Sequence, residues 1–458
     1  MSEAIKFILP DDKLPKHWYN ILADLPQPLP PVLNAATGKP VGVEELAPLF
    51  PLELIQQEVS TERHIEIPRP ILEVYRLWRP TPLRRARSLE RLLGTPARIF
   101  YKDESAAPTG SFKPNEAVAE AFYIREAGAK KLVTVTGAGQ WGSAIAFAGA
   151  LFGLQVKVFM VRVSYEQKPY RRVLMETYGA TCIPSPSKET EAGRRTLAAD
   201  PTSSGSLAIA ASEAIELAAT DPDAQLGMGS LLNYPLLHNT VIGLEALEQM
   251  EMAGYWPDVI IGCVGGGSNF TGLAAPFLGK MLREGQKVRA IAAEPAACPS
   301  LTRGRYAYDF LDAAHMGPMA KMHTLGSSFM PSGIHAGGLR FHGMAPLVSH
   351  LKEIGIIEAV AFPQTGCFEA GIMFARCEGI LPGPESNHAI RAAIDEALRC
   401  KQEGTARTIL FNLSGHGNFD MQAYADYLAG KVDDRELDQK TLDAAFANLP
   451  SVRPHNVK

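Results

Sequence analysis

Hydrophobic and polar positions along the chain follow two regimes. Up to about residue 60 the apolar residues are scattered among prolines, as in "DLPQPLPPVLNAATGKPVGVEELAPLFPLELI", and no regular period is sustained. This predicts an extended arm with short helices. Its apolar residues Leu46, Leu49, Phe50 and Leu52 predict that the arm docks on the body of the protein. From about Ile99 strand and helix patterns alternate. "RIFYKDE" reads as a strand and "PNEAVAEAFYIREAG" as a helix, with Pro114 in its first turn and Gly128 at its end. "KLVTV", "QVKVFMV" and "ATCIPSP" read as apolar strands, with helices "GSAIAFAGALFG" and "YEQKPYRRVLMETYG" between them. The alternation restarts at "DVIIGCVGGGSNFTGLAAPFLGKMLREG" and "KVRAIAAEP". It closes on a helix from about Asn387 to Gln402 and the strand "RTILFNLSGHG".

Strands separated by helices predict βαβ units, and hence an α/β protein whose mainly parallel sheets are flanked by helices. The 458 residues are enough for two such domains. A hydrophobic content of 46% with 21% charged residues is ordinary for a soluble globular protein. The formal charge of −4 gives no electrostatic reason to expect nucleic acid or membrane binding. No apolar run is long enough to cross a bilayer, and the N-terminus lacks a signal-peptide pattern. Cys182, Cys263, Cys298, Cys367, Cys377 and Cys400 are scattered with no C-x-x-C pair. They read as reduced thiols in a cytoplasmic protein, with no metal site expected.

Three stretches carry candidate chemistry. In "VIIGCVGGGSNFTG" a strand delivers Gly265, Gly266 and Gly267, and a helix opens at Ser268 and Asn269. Glycines let the backbone approach a ligand, and the free N–H groups of a helix start favour an anion such as a phosphate monoester. A dinucleotide site wants G-x-G-x-x-G and an acidic residue after the next strand; Glu294 follows a strand, but the glycine spacing differs. In "APTGSFKPNEAV", Lys113 stands at a helix entrance, where the positive end of the dipole favours the neutral amine that Schiff-base chemistry needs. Together with the glycine loop, it suggests pyridoxal phosphate held at both ends. The third stretch is Thr136-Gly137-Ala138-Gly139-Gln140, a strand-to-helix loop whose N–H groups suit a carboxylate such as that of an amino acid. Ser414 ends the last strand. Glu378 is placed near the cofactor ring and Glu385 in a structural role. His335, Arg340 and His342 lie on a glycine-rich segment expected on the substrate side.

With these stretches in view, the chain resembles the tryptophan synthase β-chain family, in its longer second type with an N-terminal extension. The resemblance runs from "HWYNILADLPQPLPP" to "YADYLAGK". It rests on "WRPTPLRRARSLERLLGTPARIFYK", "TGAGQWGSAIAFAGALFG", "VRVSYEQKPYRRVLMETYGA", "GCVGGGSNF", "IHAGGLRFHGMAPLVS" and "LFNLSGHG". It implies a two-domain enzyme of fold-type II with pyridoxal 5'-phosphate between the domains, as a homodimer. The implied division is an N-terminal extension over residues 1–75, the start of the large cofactor domain over 76–112, a smaller mobile domain over 113–235, and the rest of the large domain over 236–458. Lys113 would carry the cofactor, with Asn115, Gly265, Gly266, Gly267, Ser268, Asn269 and Glu378 around it and Ser414 at the pyridine nitrogen. Val135, Thr136, Gly137, Ala138, Gly139, Gln140, Trp141 and His335 would face the amino-acid substrate. The resemblance also allows a monovalent cation, and leaves an α-chain partner open.

The implied reaction is β-elimination or β-replacement on serine or an activated serine-type amino acid, through an aminoacrylate. A neutral serine at the ring nitrogen weakens the electron sink relative to an aspartate, which favours loss of a β-substituent over transamination. The departures cluster around the same site. Where the family has a glutamate before "TGAGQ" this chain has Val135, and where it has a histidine before the lysine this chain has Phe112. "KDES" (Lys102 to Ser105), "FMPSGIHAGG" and "GHGNFD" with Asn418 also differ. The expectation is an altered acceptor or leaving group. The rivals are a deaminating lyase and, from another class, a non-catalytic cofactor-binding assembly partner.

Overall fold

The most apolar strands of the second half of the chain stack side by side, as segments that need helices on both faces must. Residues 4–434 and 437–451 are described by a computed structural model of the chain. Arg98–Asp103, Thr408–Leu413, Val259–Cys263, Arg289–Pro295 and Glu358–Phe362 run parallel in that spatial order. The short strands Leu83–Arg85 and Lys6–Phe7 extend the sheet antiparallel at the Arg98 edge. A second, fully parallel sheet has the order Thr181–Ser185, Gln155–Val161, Lys131–Thr136, Ala224–Gly227. The α/β class with helix-flanked, mainly parallel sheets is therefore as the alternation predicts.

The proline-rich arm forms short helices at Val43–Leu46, Leu52–Val59 and Arg69–Tyr75. It docks through Trp18, Leu54, Ile71 and Tyr75, all fully buried, and through Phe50. Leu46 and Leu49 pack partly buried against the same cluster as Phe50, but Leu52 points to solvent. "YEQKPYRRVLMETYG" is two helices, Arg162–Gln167 and Pro169–Thr177. Lys168 between them is non-helical (φ −127°, ψ 60°), because Pro169 disfavours the helical conformation in the residue before it. Among the described residues, the elements that the alternation does not mark include Leu207–Thr220, Ala224–Gly227, Asn233–His238, Val241–Ala253 and the sheet strand Glu358–Phe362.

Residues 79–115 are tied to the core by charge. The Arg79 guanidinium donates to Glu245 Oε1 (2.9 Å), Glu104 Oε2 (3.0 Å) and Asn115 Oδ1 (2.8 Å). Lys102 Nζ adds bonds to Glu245 Oε2 (2.7 Å) and Gln249 Oε1 (2.8 Å). All of these side chains are buried. Burial pushes the Glu104 carboxyl up, but Arg79 and Lys102 outweigh it and hold Glu104 below the ordinary carboxylate range. This network fixes the end of the strand Arg98–Asp103 against the helix Pro114–Glu126, whose entrance carries Lys113.

Arg79→Ala leaves Glu104 and Glu245 buried without their guanidinium. The expected loss is about 3–5 kcal/mol in urea unfolding. Arg69→Ala, which breaks only an exposed pair with Glu73, should stay within about 0.5 kcal/mol of wild type.

Candidate active site

A cavity of about 60 Å³ lies where the C-terminal ends of Val259–Cys263 and Thr408–Leu413 meet the entrance of the helix Pro114–Glu126. In parallel α/β sheets, ligands bind beyond these strand ends. Lys113, Gln140, Gly265, Gly266, Gly267, Ser268, Asn269 and Ser414 all line it, so the sequence brings the three motifs to one point.

The three glycines are required by contact. A Cβ on Gly265 would stand 2.3 Å from Gly338 O, one on Gly266 2.4 Å from Ser230 O, and one on Gly267 2.5 Å from Val348 Cγ2. Gly267 also has φ +114°, a conformation that L side chains rarely adopt. The 17-residue helix Ser268–Glu284 starts at this loop. The result is a cradle with no side chain in it at the positive end of a long helix, which suits a phosphate. Asn269 turns away toward the strands: its Nδ2 donates to Cys263 O (2.8 Å), and its Oδ1 accepts from Asn412 Nδ2 (2.6 Å). Glu294 bonds Leu301 N and Thr302 N (both 2.8 Å), so it caps a short helix and is not poised over a ribose.

Lys113 Nζ lies 3.1 Å from Glu116 Oε1 and 3.2 Å from Ser230 Oγ. It sits 4.8 Å from the centre of the Phe112 ring and 5.6 Å from that of Trp141. Glu116, in the first turn of the same helix, thus offsets the dipole that disfavours a cation there. Ser414 Oγ is 2.7 Å from Ser386 Oγ and 3.5 Å from Cys263 Sγ, an all-neutral set.

The rest of the expected site divides differently. Asn115 is held within the Arg79 network and does not line the cavity; its Nδ2 donates to Glu104 Oε2 at 3.1 Å. Glu378 also lies outside it, because it ends the helix Gln364–Glu378 and accepts from Leu89 N (3.0 Å). Burial raises its pKa. The carboxylate that does reach the cavity is Glu385, seven residues on, whose Oε1 accepts from Gly338 N at 2.9 Å.

In the second loop, Thr136 Oγ1 accepts from Gly139 N (3.2 Å) and Gly142 N (3.1 Å), which ties the bend to itself. Gly139 (φ +97°) could take a Cβ only 2.6 Å from Arg171 Cβ, while Gly137 and Ala138 abut Gly337. Trp141 donates from Nε1 to Thr134 Oγ1 (2.7 Å). Val135 is buried in one apolar cluster with Phe159, Ala211, Met228 and Phe341 and is not among the residues that line the small cavity. His335 presents its backbone carbonyl to Lys168 Nζ (3.1 Å), and its ring stands edge-on to Phe368. Arg340 bonds Ser164 Oγ (2.7 Å), and His342 Nε2 lies 2.8 Å from Phe310 O.

Sequence reasoning missed Arg171, Ser230, Ser386 and His416, all on the cavity wall, and Glu116 behind Lys113. For Glu116 the signal was present, since a carboxylate three residues after a lysine on a helix faces it.

A cradle for a phosphate, a lysine at a helix entrance and a neutral hydroxyl pair at one sheet end define a pyridoxal-phosphate enzyme of α/β type. The sequence matches the family described as pyridoxal-phosphate dependent enzyme over residues 74–415. It is 58% identical over 432 residues to tryptophan synthase beta chain 2 of Aquifex aeolicus, covering 94% of this chain and 100% of the relative. To tryptophan synthase beta chain 2 of Thermotoga maritima it is 56% identical over 416 residues, 91% and 98% of the two chains. The chain belongs to the tryptophan synthase β-chain family of pyridoxal-phosphate-dependent enzymes. The same fold occurs in a T.th. threonine deaminase, with TM-score 0.53 and 20% identity over 73% of this chain and 91% of that one. It occurs also in an L-serine ammonia-lyase from Rhizomucor miehei, with TM-score 0.58 and 15% identity over 78% and 99%.

Gly266→Val should drive a side chain into Ser230 O and expel the phosphate. The purified variant should lose its bound pyridoxal phosphate on desalting while its far-UV circular dichroism is unchanged. Gly42→Ala, where a Cβ meets nothing within 4 Å, should retain it.

Proposed function

We propose that the chain catalyses β-elimination and β-replacement on serine or an activated serine-type amino acid. The observation that carries this reading is the convergence of Lys113, the Gly265–Gly267 cradle and Ser414 on one cavity. There the backbone N–H groups of the cradle and Ser268 would hold the phosphate of pyridoxal phosphate, Lys113 would hold it at the aldehyde end, and Ser414 would lie on the side of its ring nitrogen. Pyridoxal phosphate, when bound, supplies the electron sink that stabilises charge at the substrate's Cα. Lys113 Nζ removes the Cα proton. The loop Thr136–Gln140 holds the substrate carboxylate by backbone N–H groups and Gln140. Trp141 closes one side and keeps water from the amine. The chain acts as a homodimer in the cytoplasm, with residues 113–235 as the mobile unit closing over the amino acid. An α-chain partner and a monovalent cation fit the family expectation. Among the described residues no helix is long and apolar enough to cross a membrane.

Val135 directs the choice of acceptor and leaving group. It packs in an apolar cluster with Phe50, Ile55, Leu226, Met228 and Leu311, and those five also line a cavity of about 430 Å³ under the N-terminal arm. An apolar acceptor suits that environment, whereas hydroxide leaving from serine loses the carboxyl that would assist it. Such assistance is worth roughly 10²–10⁴-fold, about 3–5 kcal/mol of barrier. A deaminating lyase is the second reading, favoured by the same lack of an acid at position 135.

Two measurements test this. Lys113→Ala should abolish both the visible chromophore of the bound cofactor and the exchange of the substrate's Cα proton. Wild type should make tryptophan poorly from serine and indole and fare better with O-acetylserine or O-phosphoserine. Val135→Glu should raise the serine-plus-indole rate by about tenfold or more. Wild-type turnover of serine and indole equal to that of its relatives would overturn the altered-leaving-group reading.

A further inference from the structure

Arg171, in the helix Pro169–Thr177, is as deeply buried as Arg79 but far less bonded. The Arg79 guanidinium makes five hydrogen bonds to side-chain oxygens. Among the described residues that of Arg171 makes one, a long bond of 3.4 Å from Nη1 to Thr109 O. Its Nε has no partner. Its ion pair is with Asp420, and that contact is loose, with Nη2 3.5 Å from Oδ2. Asp420 is held closely by a second buried cation instead, since its Oδ1 accepts from Lys168 Nζ. Below the guanidinium lies the Phe419 ring, 4.6 Å away at its centre. A guanidinium carries five N–H donors, and leaving them unmet in the interior is costly. One carboxylate thus serves two cations, and the donors of Arg171 are left for a ligand.

The place of Arg171 says which ligand group that is. It lines the small cavity, and its stem packs under the bend Thr136–Gln140. A Cβ on Gly139 would stand 2.6 Å from Arg171 Cβ and 2.9 Å from its Cγ. The phosphate cradle is carried by the other sheet, after the strand Val259–Cys263. The carboxylate on the cavity wall, Glu385, is already engaged by Gly338 N at 2.9 Å. The anion expected on the side of the bend is the carboxylate of the amino acid.

We propose that Arg171 pairs with the α-carboxylate of the amino-acid substrate and shares it with the N–H groups of the bend. This rests on the reading of the bend as the carboxylate site. The backbone donors meet one oxygen and the guanidinium the other, a charge-assisted contact in a place sheltered from water. Lys168, fixed by its second bond to His335 O (3.1 Å), keeps Asp420 from claiming the guanidinium. The pairing sets a specificity: an amino-acid amide, equal in size but uncharged at that end, forfeits it.

Absorbance titration of the holoenzyme with alanine, which has no leaving group, and with alaninamide separates charge from shape. Arg171→Met should weaken alanine binding about 10- to 100-fold and leave alaninamide within about twofold of wild type. Arg171→Lys should recover part of the preference for alanine. Tyr170→Ala, at the exposed neighbour, should change neither ligand. A wild-type measurement stands beside the variants. The arginine Nε–H resonance that is missing from the ¹⁵N spectrum of Arg171→Lys should shift with alanine and stay in place with alaninamide. Equal weakening of both ligands in Arg171→Met, or a resonance that ignores alanine, overturns the assignment. A wild type whose spectrum responds to neither alanine nor serine would instead overturn the reading of the cavity as an amino-acid site.

Discussion

The site depends on backbones packing closer than side chains permit. At Gly265 and Gly266 the chain runs against the carbonyl oxygens of Gly338 and Ser230, within distances that no Cβ tolerates. Those contacts link the strand Val259–Cys263 to two segments far away in sequence, one ahead of it and one behind. They open the cradle at the start of the helix Ser268–Glu284 and set the position of Ser230 against Lys113. Replace any one glycine and three segments must move together. The chemistry is thus sited by steric exclusion first and by charge second.

Charge then does a different task on each side of Lys113. Below it, the buried set of Arg79, Glu104, Glu245 and Lys102 is closed on itself, each charge facing an opposite one. It positions the lysine's helix and has no route to the cavity. Glu116 and Glu120, on the same helix, are not closed: two carboxyls face one cation, Lys113, the lysine proposed to hold the cofactor. An imbalance of that kind is costly to bury, and burial raises both carboxyls above their ordinary range. The neutral serines around Ser414 at the other end of the site keep a second imbalance from arising there.

Much of this was legible in the sequence where the signal is local. A glycine run between a strand and a helix, and a lysine before Pro114, carry their chemistry in adjacent residues. The alternation of strands and helices likewise gave the α/β class. What was not legible is set by long-range packing. Glu378 and Glu385 look equivalent in "CEGILPGPESNHA", yet the turn after Gly379 sends one to cap the helix Arg87–Leu93 and brings the other to the cavity. His335 lies in a promising glycine-rich segment, but its backbone makes the useful contact and its ring faces Phe368. Ser230 adopts φ +73° at a position with no sequence signature, and Arg171 enters the wall only because a proline splits its helix from the one before. Val135 reads as a lost acid in the sequence; in the structure it is buried in an apolar cluster, five of whose members line a larger space.

The order of the large sheet bears on how the chain is made. Its central strand, Thr408–Leu413, inserts between Arg98–Asp103 and Val259–Cys263, although it is encoded near the C-terminal end. While the chain is still emerging from the ribosome, those two strands therefore present unpaired, apolar edges with nothing to join them. Ser414 follows directly on the missing strand, so the cradle and the lysine exist before the floor on which a cofactor ring would rest. A nascent chain stalled short of residue 408 is therefore the form most exposed to aggregation.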